Sequence, residues 1–360
     1  MKIKSLFYFL FLVSSCFGQT TKTKNLILIS IDGYRWQEIY QGADSSLLNN
    51  KKYRSQDSLA LFKKFWAATA TERREKLMPF FWNTIANKGQ LYGNRDLGNL
   101  VNVKNKYWFS YPGRSETLCG YYDSLVNSNE YPNNPNENVL EFINKQNGYQ
   151  NKVVTFASWD ALGRILNRDR NGMLVNLPFE DVKGPRLSDG QQLANELQNY
   201  LPEYFGRSVR FDAHTFAMTK AYMQANHPKV VHIDFADLDD FAHHGQYDSY
   251  LDGAHYLDAM IGSLWAMIQQ DPFYKNKTTI MIYPDHGRGI DAKWTSHGSS
   301  VPRANETWLA VIGPDTPAAG EVKTNTQIYQ DQFAQTAAQL LGLKFTANHP
   351  VGEAVKTVIK

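Results

Sequence analysis

Acidic and imidazole side chains recur directly after apolar runs of this sequence. Asp32 follows one run, Asp285 and His286 follow another, and His297 lies a short loop further on. A third run is followed by a denser group of the same residue types, namely Asp237, Asp239, Asp240, His243 and His244. One aspartate in such a place is usually a helix cap. Carboxylates with histidines after three of four runs instead indicate a metal site.

The spacing of these residues suits shared coordination. Asp239 and His243 are four residues apart, so one helical turn would place both on the same face. Asp285 and His286 follow Pro284, which does not extend a central strand, so the chain is expected to turn there and let both reach one ion. Ligands of this kind without thiolates suit zinc, while manganese and other divalent ions also fit.

A candidate nucleophile lies between the first two runs. The stretch from Tyr111 to Thr117 contains a glycine and is expected to be a loop that leads into a short helix. Ser115 is either an N-cap, with Glu116 in the first turn, or a nucleophile. Backbone N–H groups at a helix start suit a phosphate oxygen, and a hydroxyl bound to a metal loses its proton readily.

The elements that must position these residues are read from the apolar patterns. Continuous apolar runs predict strands buried on both faces, and a stripe at spacings of three and four from Tyr250 to Ile268 predicts a core-facing helix. The predicted strands are Asn25 to Ile31, Val153 to Ala157, Val230 to Phe235 and Thr278 to Tyr283. Strands alternating with helices predict an α/β fold with a mostly parallel sheet, whose ligands gather at the carboxyl ends of the strands.

The N-terminal end and one internal segment differ from this pattern. Lys2 and Lys4, a short apolar run and small residues up to Gly18 predict a signal peptide over residues 1–18, hence a periplasmic or secreted protein. Acylation at Cys16, as in a lipoprotein, is the alternative. Residues 19–360 are expected to form one domain. Residues 160–208, rich in Asn, Arg, Asp and Gly, are interpreted as an insertion that covers part of the active-site face, or as a plain surface excursion.

Composition excludes several classes of protein. The net charge of +3 arises from 38 basic and 35 acidic residues without long runs of either sign, so nucleic-acid binding is not expected. Beyond the signal peptide, no apolar stretch reaches the roughly 20 residues that a transmembrane helix needs. Cys119 would be the only cysteine inside the exported domain, so no intramolecular disulfide is expected.

Taken in order, these motifs resemble the alkaline phosphatase superfamily, particularly its nucleotide pyrophosphatase/phosphodiesterase-like branch. The resemblance covers most of the exported chain, including a closing helix expected between Tyr329 and Leu343, and it implies a three-layer α/β/α fold. The residues that carry it are Asp32, Ser115, Asp239, His243, Asp285, His286 and His297.

The resemblance also implies roles for these residues. Asp32, Asp285 and His286 would bind one divalent ion, which also contacts Ser115. Asp239, His243 and His297 would bind the other, and zinc is the expected metal for both. Ser115 would attack phosphorus and form a phosphoserine, with Thr117 as the alternative nucleophile.

Two substrate contacts are expected from the same resemblance. Arg114 would neutralise charge on the substrate. An asparagine downstream of the nucleophile would bind phosphate, and Asn129 is chosen from the candidates Asn127, Asn129, Asn134 and Asn136.

The branch is argued from the sequence around the nucleophile. Many phosphodiesterases of the family have a threonine followed by Phe-Pro-Asn, which Ser115-Glu116-Thr117 does not match. Sulfatases convert the Cys or Ser of a Cys/Ser-x-Pro-x-Arg sequence to formylglycine. No such sequence is identified in this chain, and Cys119, which is followed by Gly120-Tyr121-Tyr122, does not fit, so phosphate esters are expected rather than sulfate esters. Monoester and diester substrates both stay open.

Two other functions are compatible with the same scaffold. One is a metal-dependent phosphoryl transferase or mutase, although a signal peptide disfavours a glycolytic mutase. The other is an exported binding protein that has lost catalysis, against which the complete ligand set argues. We therefore expect an exported two-metal hydrolase that acts on a small phosphate ester.

Overall fold

The structure is a computed structural model that describes residues 21–359. The predicted signal peptide and Cys16 lie outside the described residues. Within residues 21–359, no helix is both long enough and apolar enough to cross a membrane.

Within residues 21–359, eight strands form the main sheet and three others form a small separate sheet. The strands are β1 (Asn25–Ile31), β2 (Gln90–Tyr92), β3 (Leu100–Asn102), β4 (Val153–Ala157), β5 (Leu174–Asn176), β6 (Val230–Phe235), β7 (Thr278–Pro284), β8 (Glu306–Thr307), β9 (Leu309–Ile312), β10 (Gly320–Glu321) and β11 (Gln327–Tyr329). The main sheet has the order β10-β2-β9-β7-β1-β6-β4-β5, and the small sheet has the order β11-β3-β8.

The main sheet is mostly parallel, as predicted. β9 alone runs opposite to its neighbours β2 and β7, and the other pairings in this sheet are parallel. The four strands expected from continuous apolar runs are β7, β1, β6 and β4, which lie side by side in the middle of the sheet. The outer strands escaped prediction because they are two to four residues long and show too little pattern.

Helices cover both faces of the sheet. Ile27, Ile29 and Ile31 of β1 face one apolar core, and Leu26 and Leu28 face a second core on the other side. Both faces of a strand are therefore buried, which explains its unbroken apolar sequence. The three-layer α/β/α prediction is confirmed.

The helices are short except for two. They are α1 (Trp36–Gln41), α2 (Ser45–Asn49), α3 (Ser58–Phe65), α4 (Ala70–Leu77), α5 (Ala86–Lys88), α6 (Ser110–Cys119), α7 (Val139–Asn144), α8 (Leu162–Ile165), α9 (Arg168–Asn171), α10 (Asp189–Leu197), α11 (Asp212–Asn226), α12 (Asp237–His243), α13 (Tyr247–Gln270) and α14 (Phe333–Leu340). The predicted stripe lies on α13 and packs into the first core, while α14 packs into the second.

The register of the central strands brings their carboxyl ends level. Ile31 at the end of β1 pairs with Phe235 of β6 on one side and with Pro284 of β7 on the other. The residues that follow therefore start from one edge of the sheet. Pro284 ends β7 instead of following it, which differs from the expectation by one residue and leaves the turn where it was predicted.

The two ends of the segment 160–208 lie next to each other. Asp160 N–H donates to Ser208 O over 2.9 Å, and Arg210 N–H donates to Ser158 O over 2.8 Å. Part of the segment is not a cover, because it supplies the edge strand β5, which pairs with β4. The role of the rest as a cover stays a prediction.

Candidate metal centre and nucleophile

The ends of β1 and β7 supply a first ligand group, defined as Asp32, Asp285 and His286. Their ligand atoms lie within 4.8 Å of one another, and all three side chains are buried. Asp32 Oδ1 lies 3.1 Å from His286 Nε2, and Asp285 Oδ2 lies 3.7 Å from the same nitrogen. Ser110, the first residue of α6, adds its Oγ at 3.4 Å from Asp32 Oδ1 and 3.2 Å from His286 Nε2.

These separations fit a four-coordinate divalent ion. Zinc bonds to oxygen and nitrogen of about 2.0–2.1 Å require tetrahedral donors about 3.3 Å apart, which lies within the observed range. His286 Nδ1 lies 2.9 Å from Gly287 O and can donate its hydrogen there. That hydrogen bond leaves the Nε2 lone pair free toward the group, which is the arrangement usual for a histidine ligand.

A second ligand group consists of Asp239 and His243 on α12 together with His297. Asp239 Oδ2 lies 2.9 Å from His243 Nε2, and His297 Nε2 lies 3.7 Å from Asp239 Oδ1. The Nε2 atoms of the two histidines are 3.0 Å apart, so they cannot both carry a proton there. Lone pairs that converge in this way suit a cation.

The two groups adjoin each other through His286. Its Nε2 lies 3.9 Å from Asp239 Oδ1, and Asp239, His286 and His297 also qualify together as a potential metal-binding set. The division predicted from the resemblance gave His286 to the first ion alone. The structure places it on the border, nearer to Asp32 than to Asp239.

Electrostatics keep Asp32, His243 and His297 in their ligand forms. Burial by itself would raise the pKa of Asp32, but Arg114 and His286 hold it well below its usual range. Burial lowers the pKa of His243 and, more strongly, that of His297, where nearby cationic groups add to the effect. Neutral imidazoles and an ionised carboxylate are the protonation states that bind metals.

Arg114 does not face a substrate, so its predicted role is corrected. The side chain is fully buried, and its Nε and Nη2 donate to both oxygens of Asp234 over 2.8 and 3.1 Å. Nη2 also lies 3.0 Å from Asp32 Oδ2, and Nη1 donates to Asp285 Oδ2. The guanidinium therefore holds the carboxylates of Asp32 and Asp285 in place.

Ser115 is also placed differently from the prediction. Tyr111 to Thr117 lies inside α6, which begins at Ser110, and not in a loop before a helix. Ser115 is five residues along, which in a helix means about 7.5 Å along the axis and a different face. Its Oγ accepts a hydrogen bond of 2.8 Å from Asn134 Nδ2. Within residues 21–359, no hydrogen bond joins Ser115 to either ligand group.

The alternative nucleophile and the candidate phosphate-binding asparagines make different contacts. The hydroxyl of Thr117 donates to Arg114 O over 3.0 Å within the helix. Asn129 Oδ1 accepts the N–H of Tyr111 over 2.9 Å, which puts the Asn129 amide beside Ser110. Asn134 binds Ser115 as described, Asn136 donates to Asp123, and Asn127 is exposed. The phosphate-binding role of Asn129 stays a prediction.

Sequence reasoning missed Ser110, although a signal was present. Ser110-Tyr111-Pro112 has the hydroxyl, aromatic and proline order of the phosphodiesterase pattern Thr-Phe-Pro-Asn. The five residues from Ser110 to Arg114 also fit Cys/Ser-x-Pro-x-Arg. The expectation that the sulfatase sequence pattern is absent from the chain is therefore wrong.

Comparisons with known proteins cover part of this site. Residues 208–341 match the family model of the Metalloenzyme superfamily, and this region contains the entire second ligand group with Asp285 and His286. A search of curated protein sequences found no significant match.

Three solved structures illustrate the likeness of the fold. A putative sulfatase from Bacteroides thetaiotaomicron has a TM-score of 0.60 at 12% identity, covering 94% of this chain and 74% of its own. The phosphonate monoester hydrolase of Agrobacterium radiobacter has a TM-score of 0.55 at 14% identity, covering 93% and 77%. Wild-type alkaline phosphatase PafA has a TM-score of 0.59 at 10% identity, covering 95% and 99%.

The match at residues 208–341 relates that part of the chain to the Metalloenzyme superfamily, and the whole chain shares its fold with alkaline phosphatase PafA. The phosphodiesterase-like branch is not specified by these findings. The shared fold is the one that the resemblance to the alkaline phosphatase superfamily implied.

Proposed function

We propose that this protein is an exported two-metal hydrolase of phosphate esters in which Ser110 is the nucleophile. One observation carries the proposal: Ser110 Oγ lies 3.4 Å from Asp32 Oδ1 and 3.2 Å from His286 Nε2, at the N-terminus of α6. A hydroxyl in this place adjoins the first ligand group at His286, which borders the second group.

The two ligand groups would each hold one divalent ion, and zinc suits their donors. When bound, the ions supply positive charge that lowers the pKa of a coordinated hydroxyl and stabilises the oxygens of an in-line displacement. Two divalent ions carry four positive charges, which exceeds the three negative charges of Asp32, Asp239 and Asp285. The site would therefore attract an anionic ester.

The chain's own residues then define the reaction. Ser110 Oγ attacks phosphorus, the bond from phosphorus to the leaving oxygen breaks, and a phosphoserine forms. Water hydrolyses that phosphoserine and releases phosphate or a phosphomonoester. The amide of Asn129, held beside Ser110 by the N–H of Tyr111, is in position to bind a non-bridging oxygen.

A sulfate-ester hydrolase is the second candidate. The match of Ser110 to Arg114 with Cys/Ser-x-Pro-x-Arg favours it, and it would require oxidation of Ser110 to formylglycine. The complete second ligand group favours the phosphatase, because a two-ion clamp suits phosphoryl transfer without such a modification. A mass spectrum of the peptide carrying Ser110 distinguishes the two, since formylglycine has two hydrogens fewer than serine.

Export and the substrate complete the proposal. The signal-peptide pattern supports periplasmic or secreted protein, with anchoring at Cys16 as the alternative. The proposed partner is a small-molecule phosphate ester. Nucleic acid is not a proposed partner, because the near-neutral charge lacks basic runs.

Hydrolysis by the zinc-restored enzyme tests the reaction class. After metal stripping and zinc return, p-nitrophenyl phosphate, its bis-ester and p-nitrophenyl sulfate are compared. We expect zinc-dependent turnover of a phosphate ester and little or none of the sulfate. Absence of zinc-restored activity on all three would refute the hydrolase, and preference for the sulfate would select the second candidate.

Two serine variants test the nucleophile. Ser110→Ala should lower kcat by about 1,000-fold or more, because no other hydroxyl contacts the first ligand group within the described residues. Ser115→Ala is the matched control in the same helix. It should keep kcat and lose about 1–3 kcal/mol of stability, since Asn134 loses its buried acceptor. The reverse result would restore Ser115.

A further inference from the structure

Arg288 is a buried cation behind the second ligand group. Its side chain is 1% exposed, and it lies two residues after His286 in the chain. Burying a guanidinium is costly unless its donors are paired. The hydrogen bonds of Arg288 connect α12 with the loop that carries His297.

The first connection is to α12. Arg288 Nη1 donates to Asp239 Oδ1, and Nη2 lies 3.4 Å from His243 Nδ1. Oδ1 is also the oxygen that lies 3.7 Å from His297 Nε2, while Oδ2 lies 2.9 Å from His243 Nε2. Arg288 thereby restrains the carboxylate of Asp239 in the orientation that puts one oxygen beside each histidine.

The second connection is to the loop that carries His297. Arg288 Nε donates to Trp294 O over 2.8 Å, and Nη2 donates to Thr295 O over 2.7 Å. These carbonyls precede His297 by three and two residues. Trp294 is itself fixed by edge-on packing against Tyr247 at a centroid distance of 5.1 Å.

Space for this arrangement depends on Gly33. A Cβ at Gly33 would lie 2.5 Å from Asp239 Oδ1 and 2.9 Å from Arg288 Nη1. The residue also has φ of +56°, which glycine adopts without strain. The chain directly after Asp32 is thus shaped to admit the pair of Arg288 and Asp239.

We propose that Arg288 is the positioning residue of the second metal site. It holds Asp239 in one orientation and ties α12 to the loop of His297, so that all three ligands converge before an ion arrives. The inference rests on the proposed two-metal centre. Partners that orient metal ligands typically change metal affinity by about 10–100-fold when they are removed.

Zinc binding to the purified full chain tests this role. Stoichiometry and affinity are measured by zinc competition with a chromogenic chelator for wild type, Arg288→Met and His297→Ala. We expect two zinc ions in wild type, and in Arg288→Met a second zinc that binds about 10–100-fold more weakly. The tighter-binding zinc should be unchanged in both variants.

Arg210→Met is the matched control. Arg210 is equally buried, but none of the partners of its guanidinium belongs to either ligand group. These partners are the side chains of Thr215, Gln198, Met218 and Asn176 and the carbonyl oxygen of Ala157. This variant should lose stability yet bind both ions with wild-type affinity. An Arg288→Met protein that does the same would overturn the proposal.

Two further variants keep the test decisive. If Arg288→Met does not fold, Arg288→Lys retains the charge without the planar fork and should still weaken the second zinc. In a His297→Ala background, Arg288→Met should cause little further loss of zinc, because both changes act on one site. Additive losses would contradict the proposal. Fewer than two zinc ions in wild type would instead refute the two-metal centre itself.

Discussion

A chain of buried polar side chains runs beneath the first ligand group. His232 Nε2 lies 3.0 Å from Ser30 Oγ, Ser30 donates to Asp234, and Asp234 receives the fork of Arg114. Removal of one member of such a buried chain leaves its partner unpaired, which costs more than the hydrogen bond itself stabilises. The geometry of the first ligand group therefore depends on buried residues outside that group.

His232 makes part of this dependence measurable as a pH effect. Burial, reinforced by the Arg114 guanidinium, lowers the pKa of His232 to about 3, whereas an unfolded histidine titrates near about 6.5. Between these values the unfolded state binds more protons, so the free energy of unfolding falls as the pH falls through that window.

His232→Gln should remove this contribution to the pH dependence of the free energy of unfolding. Between pH 7.5 and 5, wild type should lose about 2 kcal/mol through this histidine that the variant does not lose. The measurement is urea unfolding of the metal-free proteins at both pH values. Parallel losses in the two proteins would show that His232 does not carry the effect, whatever the stability of the variant at neutral pH.

The helix α6 determines which side chain reaches the ligands. It begins at Ser110, two residues after Trp108, whose φ of +54° turns the chain before the helix. Gly113, one turn on, packs against the chain after β7: a Cβ there would lie 2.4 Å from Asp285 O. This contact sets the distance between the start of α6 and the first ligand group.

Gly113→Ala should therefore impair function more than stability. Alanine favours helix by about 1 kcal/mol over glycine, but the new methyl group must push α6 away from Asp285 and move Ser110. We expect kcat to fall by about tenfold or more. Gly190→Ala in α10 is the control, because its Cβ would meet only Ala221 at 3.4 Å, an ordinary contact. Equal activity of both variants would contradict the role assigned to this packing.

The start of α6 also shows where sequence reasoning reached its limit. Ser110-Tyr111-Pro112 looks like a loop, since a proline so often breaks a helix, yet proline is tolerated in the first turn. Placing the helix start later made Ser115 the expected nucleophile. The prediction of the second ligand group did not depend on the exact start of its helix, because the spacing of Asp239 and His243 fits a helix wherever that helix begins.

At the scale of the whole molecule, the order of the strands determines which residues meet in the first ligand group. Continuous apolar runs predicted the four central strands, and the rule that ligands gather at their carboxyl ends predicted Asp32, Asp285 and His286. Arg288 and Asp234 could not be predicted this way. Their roles arise from contacts between distant segments, which no spacing in the sequence encodes.

Because the ligands lie between Asp32 and His297 in the sequence, bound ions would join segments that are far apart in the unfolded chain. A ligand that binds only the folded state stabilises it by about 1.4 kcal/mol for each tenfold rise in free concentration above its dissociation constant. Two sites should therefore give about 2.7 kcal/mol per tenfold rise in buffered zinc.

His243→Ala should reduce this slope to that of one site, about 1.4 kcal/mol per tenfold rise, because it removes one ligand of the second group and none of the first. Urea unfolding in zinc buffers above both dissociation constants measures the slope for wild type and variant. The mutation also deletes a partly exposed side chain, so its effect on the zinc-free protein should be small and serves as the reference. A slope of one site in wild type, or an unchanged slope in the variant, would contradict the assignment of His243 to a second ion.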